Sequence, residues 1–374
     1  MKLKIVKNKL EDGLNTVKRI TTKSSTLPIL NNILIKTEDN FLNLSATDLE
    51  VGVRWWSLAE INKEEEIVVP TKVLSNFVNY LPEETVSIER EDMNLKIECE
   101  NYKTQIKGLD SEDFPIIPEV ENGKYISLNS EVFCEALDQV VNIAMPSSVK
   151  PEISGVYFSC KGDSLKVVAT DSFRLGEKTI SLDKKIDKDF SFILPQKAAK
   201  EIVNIFKGKE KEIRLYNSPN QVLFESQMEE TDHPEIQLVS RLIEGEYPDY
   251  EEIIPNKTKT TITLDLSEFK KQIKTASIFT SENKEVKIKV DPKKNKLEFT
   301  SQNADLGEHY SFIKTEDIKG KPVEISFNCR FLLDGLNNIS TNRAVLKLNG
   351  ESNPALIKST EETSYIYVVM PIKA

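Results

Sequence analysis

Two histidines, four cysteines and a few matching aspartates are the side chains of this 374-residue sequence that invite a search for catalysis. His233 and His309 lie far apart, each in a polar stretch, and read as surface or turn residues rather than as bases or ligands. Cys99, Cys134, Cys160 and Cys329 form no CxxC pair, so buried, reduced thiols are expected in place of a zinc or redox site. A nuclease gathers carboxylates around Mg²⁺. The candidates are Asp48, Asp171 and Asp305, but Asp48 and Asp171 occupy matching turns over a hundred positions apart. Their expected role is to accept hydrogen bonds from the turn backbone. The sequence has no GxxxxGKS or GxxxxGKT phosphate loop, no GxGxxG after a strand, no HExxH and no GxSxG. No catalytic residue, metal or cofactor is expected.

The remaining chemistry is electrostatic. The formal net charge is −10, which argues against nucleic-acid binding by the whole surface. Lysine and arginine nevertheless gather on predicted helices: Lys18, Arg19 and Lys23; Lys72; Lys197, Lys200 and Lys207; Lys270, Lys271 and Lys274. The helix over 129–144 is acidic instead, through Glu131, Glu135 and Asp138, and that over 329–339 balances Arg330 against Asp334. Lysines without interleaved aromatics suit phosphate contact without base readout. The opening MKLKIVKNKLEDGL lacks the apolar core of a secretory signal, and no run approaches the roughly 18 apolar residues of a membrane span. A cytoplasmic protein with no membrane partner is expected.

The elements that position these residues recur three times. FLNLSATDLEVG (41–52), SLKVVATDSFRLG (164–176) and KLEFTSQNADLG (296–307) each read as a strand running into a polar turn. Ala46, Ala169 and Ser301 correspond, at spacings of 123 and 132 residues. Some twenty residues later a β-rich run meets a helix start in EIVVPTKVLSNFVNYL (66–81), SFILPQKAAKEIVNIF (191–206) and EISFNCRFLLDGLNNI (324–339), where Pro70, Pro195 and Asn328 align. Each copy opens with a strand and an amphipathic helix, whose stripes are Leu10, Leu14 and Val17; Phe133, Leu137 and Val140; and Phe269, Ile273 and Ala276.

The first two copies close alike, in GLDSEDFPIIP (108–118) and RLIEGEYPDYEEIIP (241–255). Short strands rich in Val, Ile, Leu and Phe fill the rest. The prediction is an α+β protein of three repeated domains, 1–122, 123–252 and 253–374, each with two helices on antiparallel sheet.

The repeat, the basic helices and the segments TLPILNNILI (26–35), ATDSFRL (169–175), SRLIEGEYPDYEEIIP (240–255) and YVVMPIKA (367–374) together resemble the bacterial DNA polymerase III beta subunit family, the sliding clamps, across the whole chain. The resemblance implies a head-to-tail homodimer that closes into a ring around duplex DNA, with helices lining the hole. It implies tethering of the replicative polymerase alpha subunit, the clamp loader and other clamp-motif proteins, without chemistry of its own. Matching positions imply a partner-peptide pocket of Ile153, Thr170, Arg174, Leu175, Pro248, Ile253, Asn328, Phe331, Val368, Met370 and Pro371. They imply DNA-facing residues Lys23, Ser24, Lys72, Lys150, Lys197 and Lys200, and a dimer contact through Ile106, Ile278 and Phe279. Phe173 stands where the family commonly has histidine, Glu252 and Ser24 where members carry arginine, and the ending at Ala374 is less bulky than some. Two other readings remain open on the residues alone: a metal-dependent DNA-processing enzyme, and a repeat-built adaptor with no role on DNA.

Overall fold

The computed structural model describes residues 1–21, 27–120, 123–147, 149–315 and 317–373. Among them six α-helices occur as three pairs: α1 (Lys7–Val17) with α2 (Thr71–Asn79), α3 (Ser130–Val141) with α4 (Gln196–Phe206), and α5 (Leu266–Ser277) with α6 (Cys329–Asn337). Every helix begins where a strand ends, with no loop between. The local reason is an extended residue at each junction. Pro70 fixes its own φ at −61°. Asp265 and Asn328 turn their side chains back to accept from the amides of Glu268 and of Arg330 and Phe331. The apolar stripes are buried, with Leu10, Val17, Phe133, Leu137, Val140, Phe269, Ile273 and Ala276 all at 0% exposure. No helix among the described residues is long and apolar enough to cross a membrane.

The chain divides into two compact units, residues 1–135 with 197–243, and residues 136–196 with 244–374. Each is held by one sheet that passes from repeat to repeat. In the first unit an eight-stranded sheet runs Ile126–Asn129, Glu212–Asn217, Gln221–Gln227, Pro234–Arg241, Val51–Leu58, Phe41–Thr47, Asn32–Glu38 and Glu66–Pro70. In the second unit a nine-stranded sheet contains the succession Ser164–Thr170, Arg174–Ser181, Tyr365–Val369 and Ala355–Ser359. The joints follow one rule: the strand after the Thr-Asp turn of one repeat pairs antiparallel with the last strand of the next. Val51 faces Ser240 and Gly52 faces Val239 in one joint. Arg174 faces Val369 and Leu175 faces Val368 in the other.

Two strands of these same types have no such neighbour. Gly307–Lys314, which follows the third turn, is the edge of a four-stranded sheet in the second unit. Tyr102–Lys107, the last strand of the first repeat, is the edge of a five-stranded sheet in the first.

The turns hold the expected aspartates, with one correction. Asp48 Oδ1 accepts from the amides of Glu50 and Val51, and Asp171 Oδ1 from those of Phe173 and Arg174. In the third repeat the acceptor is Asn303, taking the amides of Asp305 and Leu306; Asp305 contributes only its backbone. The counterpart of an aspartate two positions beyond Ala46 or Ala169 is the residue two beyond Ser301, and that is Asn303.

All four cysteines are buried thiols, and burial pushes the Cys160 thiol up to about 12. His233 stacks on Phe41 with ring centroids 4.0 Å apart, and His309 on Phe279 at 5.8 Å. Gly335 on α6 lies so close against the fully buried Tyr367 ring that a β-carbon would overlap it. Replacing Gly335 with alanine gains about 1 kcal/mol in helix propensity but costs about 1–3 kcal/mol through that overlap, because the ring has nowhere to retreat. A lowered apparent melting temperature for Gly335→Ala is expected; a rise would show that the ring yields.

Candidate functional site

The site lies in the second unit, where the Thr170–Arg174 turn meets the last strand and α6. Thr170 Oγ1 donates to the Arg174 carbonyl (2.7 Å) and accepts from the Ser172 amide (3.2 Å). Ser172 adopts a left-handed backbone, φ +74°, at the tip of the turn, and the two residues after it part ways. Phe173 is 60% exposed. Arg174 folds back: its Nε donates to Asp171 Oδ2 (2.9 Å), its Nη1 to Asp334 on α6, and its guanidinium lies 4.6 Å from the centre of the Phe331 ring. Burial works against this charge, but Tyr367, Asp171 and Asp334 outweigh it and raise the pKa, so Arg174 is cationic at every accessible pH. The arrangement is a cation held rigidly between two carboxylates and an aromatic face.

Beside it is an apolar floor. Leu175 and Val368 face each other across the joint and cluster with Val168, Leu356 and Tyr250. Tyr157, Tyr247, Ile254 and Ile366 pack around that cluster. Asn328 caps α6 and so sets the height at which Phe331 emerges; the Phe331 carbonyl also accepts from the Tyr367 hydroxyl (2.8 Å). The Phe173 and Phe331 rings stack with centroids 6.3 Å apart. The chain end is tied in by its backbone: the Met370 amide donates to the Phe173 carbonyl, and that of Ile372 to the Ser326 carbonyl, both at 2.8 Å. Pro371 is buried, while Met370 is half-buried.

Of the eleven expected pocket residues, Thr170, Arg174, Leu175, Asn328, Phe331, Val368 and Met370 are joined by these contacts. Pro248 and Ile253 are exposed on the linker that carries Tyr250, and Ile153 is buried in a 3-10 turn, Pro151–Ile153. Sequence reasoning missed Tyr247, Tyr250, Glu177 and Asp334 as partners in the site. The Tyr-Pro-Asp-Tyr run at 247–250 was the available signal, because a polar linker has little use for two rings unless it packs them.

The expected DNA-facing residues fall on helix starts and loops. Lys72 and Lys197 are each the second residue of their helix and exposed, and Lys200 is half-buried on α4. A cation at a helix N-terminus opposes the macrodipole by about 0.3–1 kcal/mol. Lys197 is compensated by an ion pair with Asp48 Oδ2. Lys150 is exposed in the second unit, and Lys23 and Ser24 lie outside the described residues. At the expected dimer contact, Ile278 is 62% exposed at the end of α5, whereas Ile106 is buried in the edge strand Tyr102–Lys107. Among the described residues no group of three or more His, Cys, Asp or Glu is placed to hold a metal ion.

Tyr250 gives the floor a pH signature. Burial raises its pKa first, and its hydrogen bond to Glu177 Oε2 (2.6 Å) raises it further. In the unfolded chain the phenol ionises near pH 10. Between that pH and the higher folded value the folded state binds more protons, so stability present below pH 10 is lost as pH rises. Urea denaturation should show wild type losing up to about 1.4 kcal/mol per pH unit more than Tyr250→Phe above pH 10. Parallel losses would show that Tyr250 does not hold its proton.

Three family models cover nearly the whole chain: the DNA polymerase III beta subunit N-terminal domain over residues 1–118, its central domain over 127–249 and its C-terminal domain over 251–373. The beta sliding clamp of Synechococcus elongatus is 26% identical over 380 residues, spanning 100% of this chain and 99% of that protein. The crystal structure of the DNA polymerase sliding clamp from Bacillus subtilis superposes with a TM-score of 0.94 at 25% identity, over 100% of this chain and 99% of that one. A putative DNA polymerase III beta subunit from Eubacterium rectale matches with a TM-score of 0.92 at 28% identity, over 100% of both chains.

Proposed function

The chain belongs to the DNA polymerase III beta subunit family, the sliding clamps, and from that premise we propose that two copies close head to tail around duplex DNA and tether polymerase to it. The observation that carries this reading is the pair of strands left without a joint. Gly307–Lys314 and Tyr102–Lys107 are of the two kinds that pair with each other at both internal joints, and they end different units of one chain. Pairing one with the other on a second copy repeats the same joint and satisfies both edges. Tyr310 and Phe312 on the first strand are 58% and 49% exposed, and Leu306 and Ile278 near it 61% and 62%, an apolar rim suited to coverage. We extend the proposal to the repeat boundaries at 122/123 and 252/253, which fall in or beside the gaps between the family matches.

Held by topology, DNA needs only weak, sequence-blind contacts. Lys72, Lys150, Lys197 and Lys200, with Lys23 and Ser24, are proposed to supply them, and each phosphate neutralised by a lysine adds about −0.9 to the slope of log affinity against log salt. The net charge of −10 then keeps the rest of the surface from adhering. The Thr170–Arg174 turn, the Leu175–Val368 floor and the Met370 strap are proposed to receive the short hydrophobic motif of the polymerase alpha subunit, the clamp loader and other clamp-motif proteins. Met370 suits such shared use because its thioether repacks around different side chains. No catalytic step is assigned to the chain, and its setting is proposed to be the cytoplasm.

Fluorescence anisotropy with a labelled Gln-Leu-Ser-Leu-Phe peptide tests the pocket. Saturable binding to the intact chain is expected, with loss of at least about tenfold on deleting 370–374, since truncating a central interface anchor costs roughly 2 kcal/mol or more. Unchanged affinity in the truncated chain would remove the pocket from this turn. For the ring, Ile278→Asp buries a charge at the proposed contact. Sedimentation velocity at micromolar concentration should move from dimer to monomer, and an unchanged dimer would place the contact elsewhere.

A further inference from the structure

The second helix of every repeat carries a cation at its second position: Lys72 on α2, Lys197 on α4 and Arg330 on α6. Duplication has kept the charge but not its surroundings. Lys197 is held by a carboxylate, Asp48 Oδ2, which belongs to the turn of the preceding repeat and to the same compact unit. Among the described residues Lys72 and Arg330 have no side-chain ion pair, and neither do Lys150 and Lys200. Of the four described lysines proposed to meet DNA, Lys197 alone is restrained.

The turns account for the difference. Asp48 Oδ1 is committed to the amides of Glu50 and Val51, and the side chain is only 6% exposed, so Oδ2 is fixed in place with Lys197 as its charged partner. Asp171 directs its own Oδ2 to Arg174 of the same turn, which leaves Arg330 without it. The third turn offers no carboxylate at this point: Asn303 donates its amide to the Thr280 carbonyl. The Lys197 side chain is 44% exposed, so an anion from outside can compete for it while the turn stays as it is.

On the reading that these lysines meet DNA, we propose that Asp48 is a positioning residue that holds Lys197 back from it. A phosphate gains this cation only by breaking the ion pair, so Lys197 adds less to affinity than a free lysine does. While it stays on Asp48, the phosphate it would neutralise keeps its counterions, and the salt slope lacks that lysine's contribution of about −0.9. The hold on duplex DNA is therefore looser than the lysine count alone would make it. Loose contact suits a ring that is retained by topology and has to move along the duplex.

The test is a fluorescence titration of a short fluorescein-labelled linear duplex with the full-length chain at several NaCl concentrations. Asp48→Asn removes the charge and keeps an oxygen for the two turn amides, as Asn303 does in the third repeat. It should bind up to about fivefold tighter, the equilibrium value of a partly exposed ion pair, and steepen the salt slope by about 0.9. In a Lys197→Gln background the same change should gain almost nothing. A second measurement does not depend on how Asp48→Asn folds: with Asp48 in place, Lys197→Gln should flatten the slope less than Lys72→Gln or Lys200→Gln does. Unchanged or weaker binding by Asp48→Asn, an equal gain in the absence of Lys197, or equal flattening by all three lysine variants would each overturn the proposal. The lysine variants also separate the two ways of failing. If neither Lys72→Gln nor Lys200→Gln alters the slope, the DNA reading fails and the role of Asp48 falls with it; if both flatten it and Asp48→Asn has no effect, the restraint alone is overturned.

Discussion

The fold depends on one hydrogen-bonded joint, used twice. A strand leaving a Thr-Asp turn pairs with the final strand of the following repeat, and a continuous sheet results where three separate domains would otherwise meet through side chains alone. Backbone pairing of this kind leaves no polar group unsatisfied at the seam. It also explains why the compact units do not coincide with the repeats: each unit is built around one joint, and the second repeat is shared between them. A joint that serves two of its three possible places leaves one strand of each kind at an edge. Such edges invite pairing unless they are covered or blunted, and this chain carries one of each of the two complementary kinds.

The turn that begins each joint shows how one geometry is put to different uses. In all three repeats a side-chain oxygen accepts two successive backbone amides. What differs is the second terminal atom. Asp48 Oδ2 takes Lys197 at the start of α4, Asp171 Oδ2 takes Arg174 of its own turn, and Asn303 Nδ2 donates to the Thr280 carbonyl (3.0 Å). A carboxylate recruits a cation, and an amide recruits the backbone. Among the described residues, the second repeat's turn alone thereby gains a fixed guanidinium over an aromatic ring, next to an apolar floor.

Much of this was legible in the sequence because repetition is itself a signal. Matching strands, helix starts and stripes such as Phe133, Leu137 and Val140 located the elements, and the ATDSFRL segment located the turn. What the sequence concealed was pairing between distant residues. Nothing near Arg174 announces Asp334, which lies 160 positions away and reads as a surface charge balancing Arg330. Asp305 drew attention as an acid in a turn, whereas hydrogen-bond geometry selects Asn303, whose oxygen serves equally well. Lys7 is a similar case: it is 5% exposed between Glu11 and Glu83, and only the fold brings Glu83 to it.

The shorter first linker has the same cause and a different consequence. With four residues fewer between its prolines it cannot form the turn that places Tyr250, so Gly52 is required where Leu175 would otherwise stand: a β-carbon there would press on Ile117, and the isoleucine must come down to seal the sheet. Sealing by one isoleucine covers less surface than sealing by two tyrosines. The two joints are therefore alike in their backbone and unlike in their outer faces, with Glu177 satisfied by its own linker and Arg54 left to neutral acceptors. Duplication fixed the joint, and a change in linker length was enough to make one face closed and the other open.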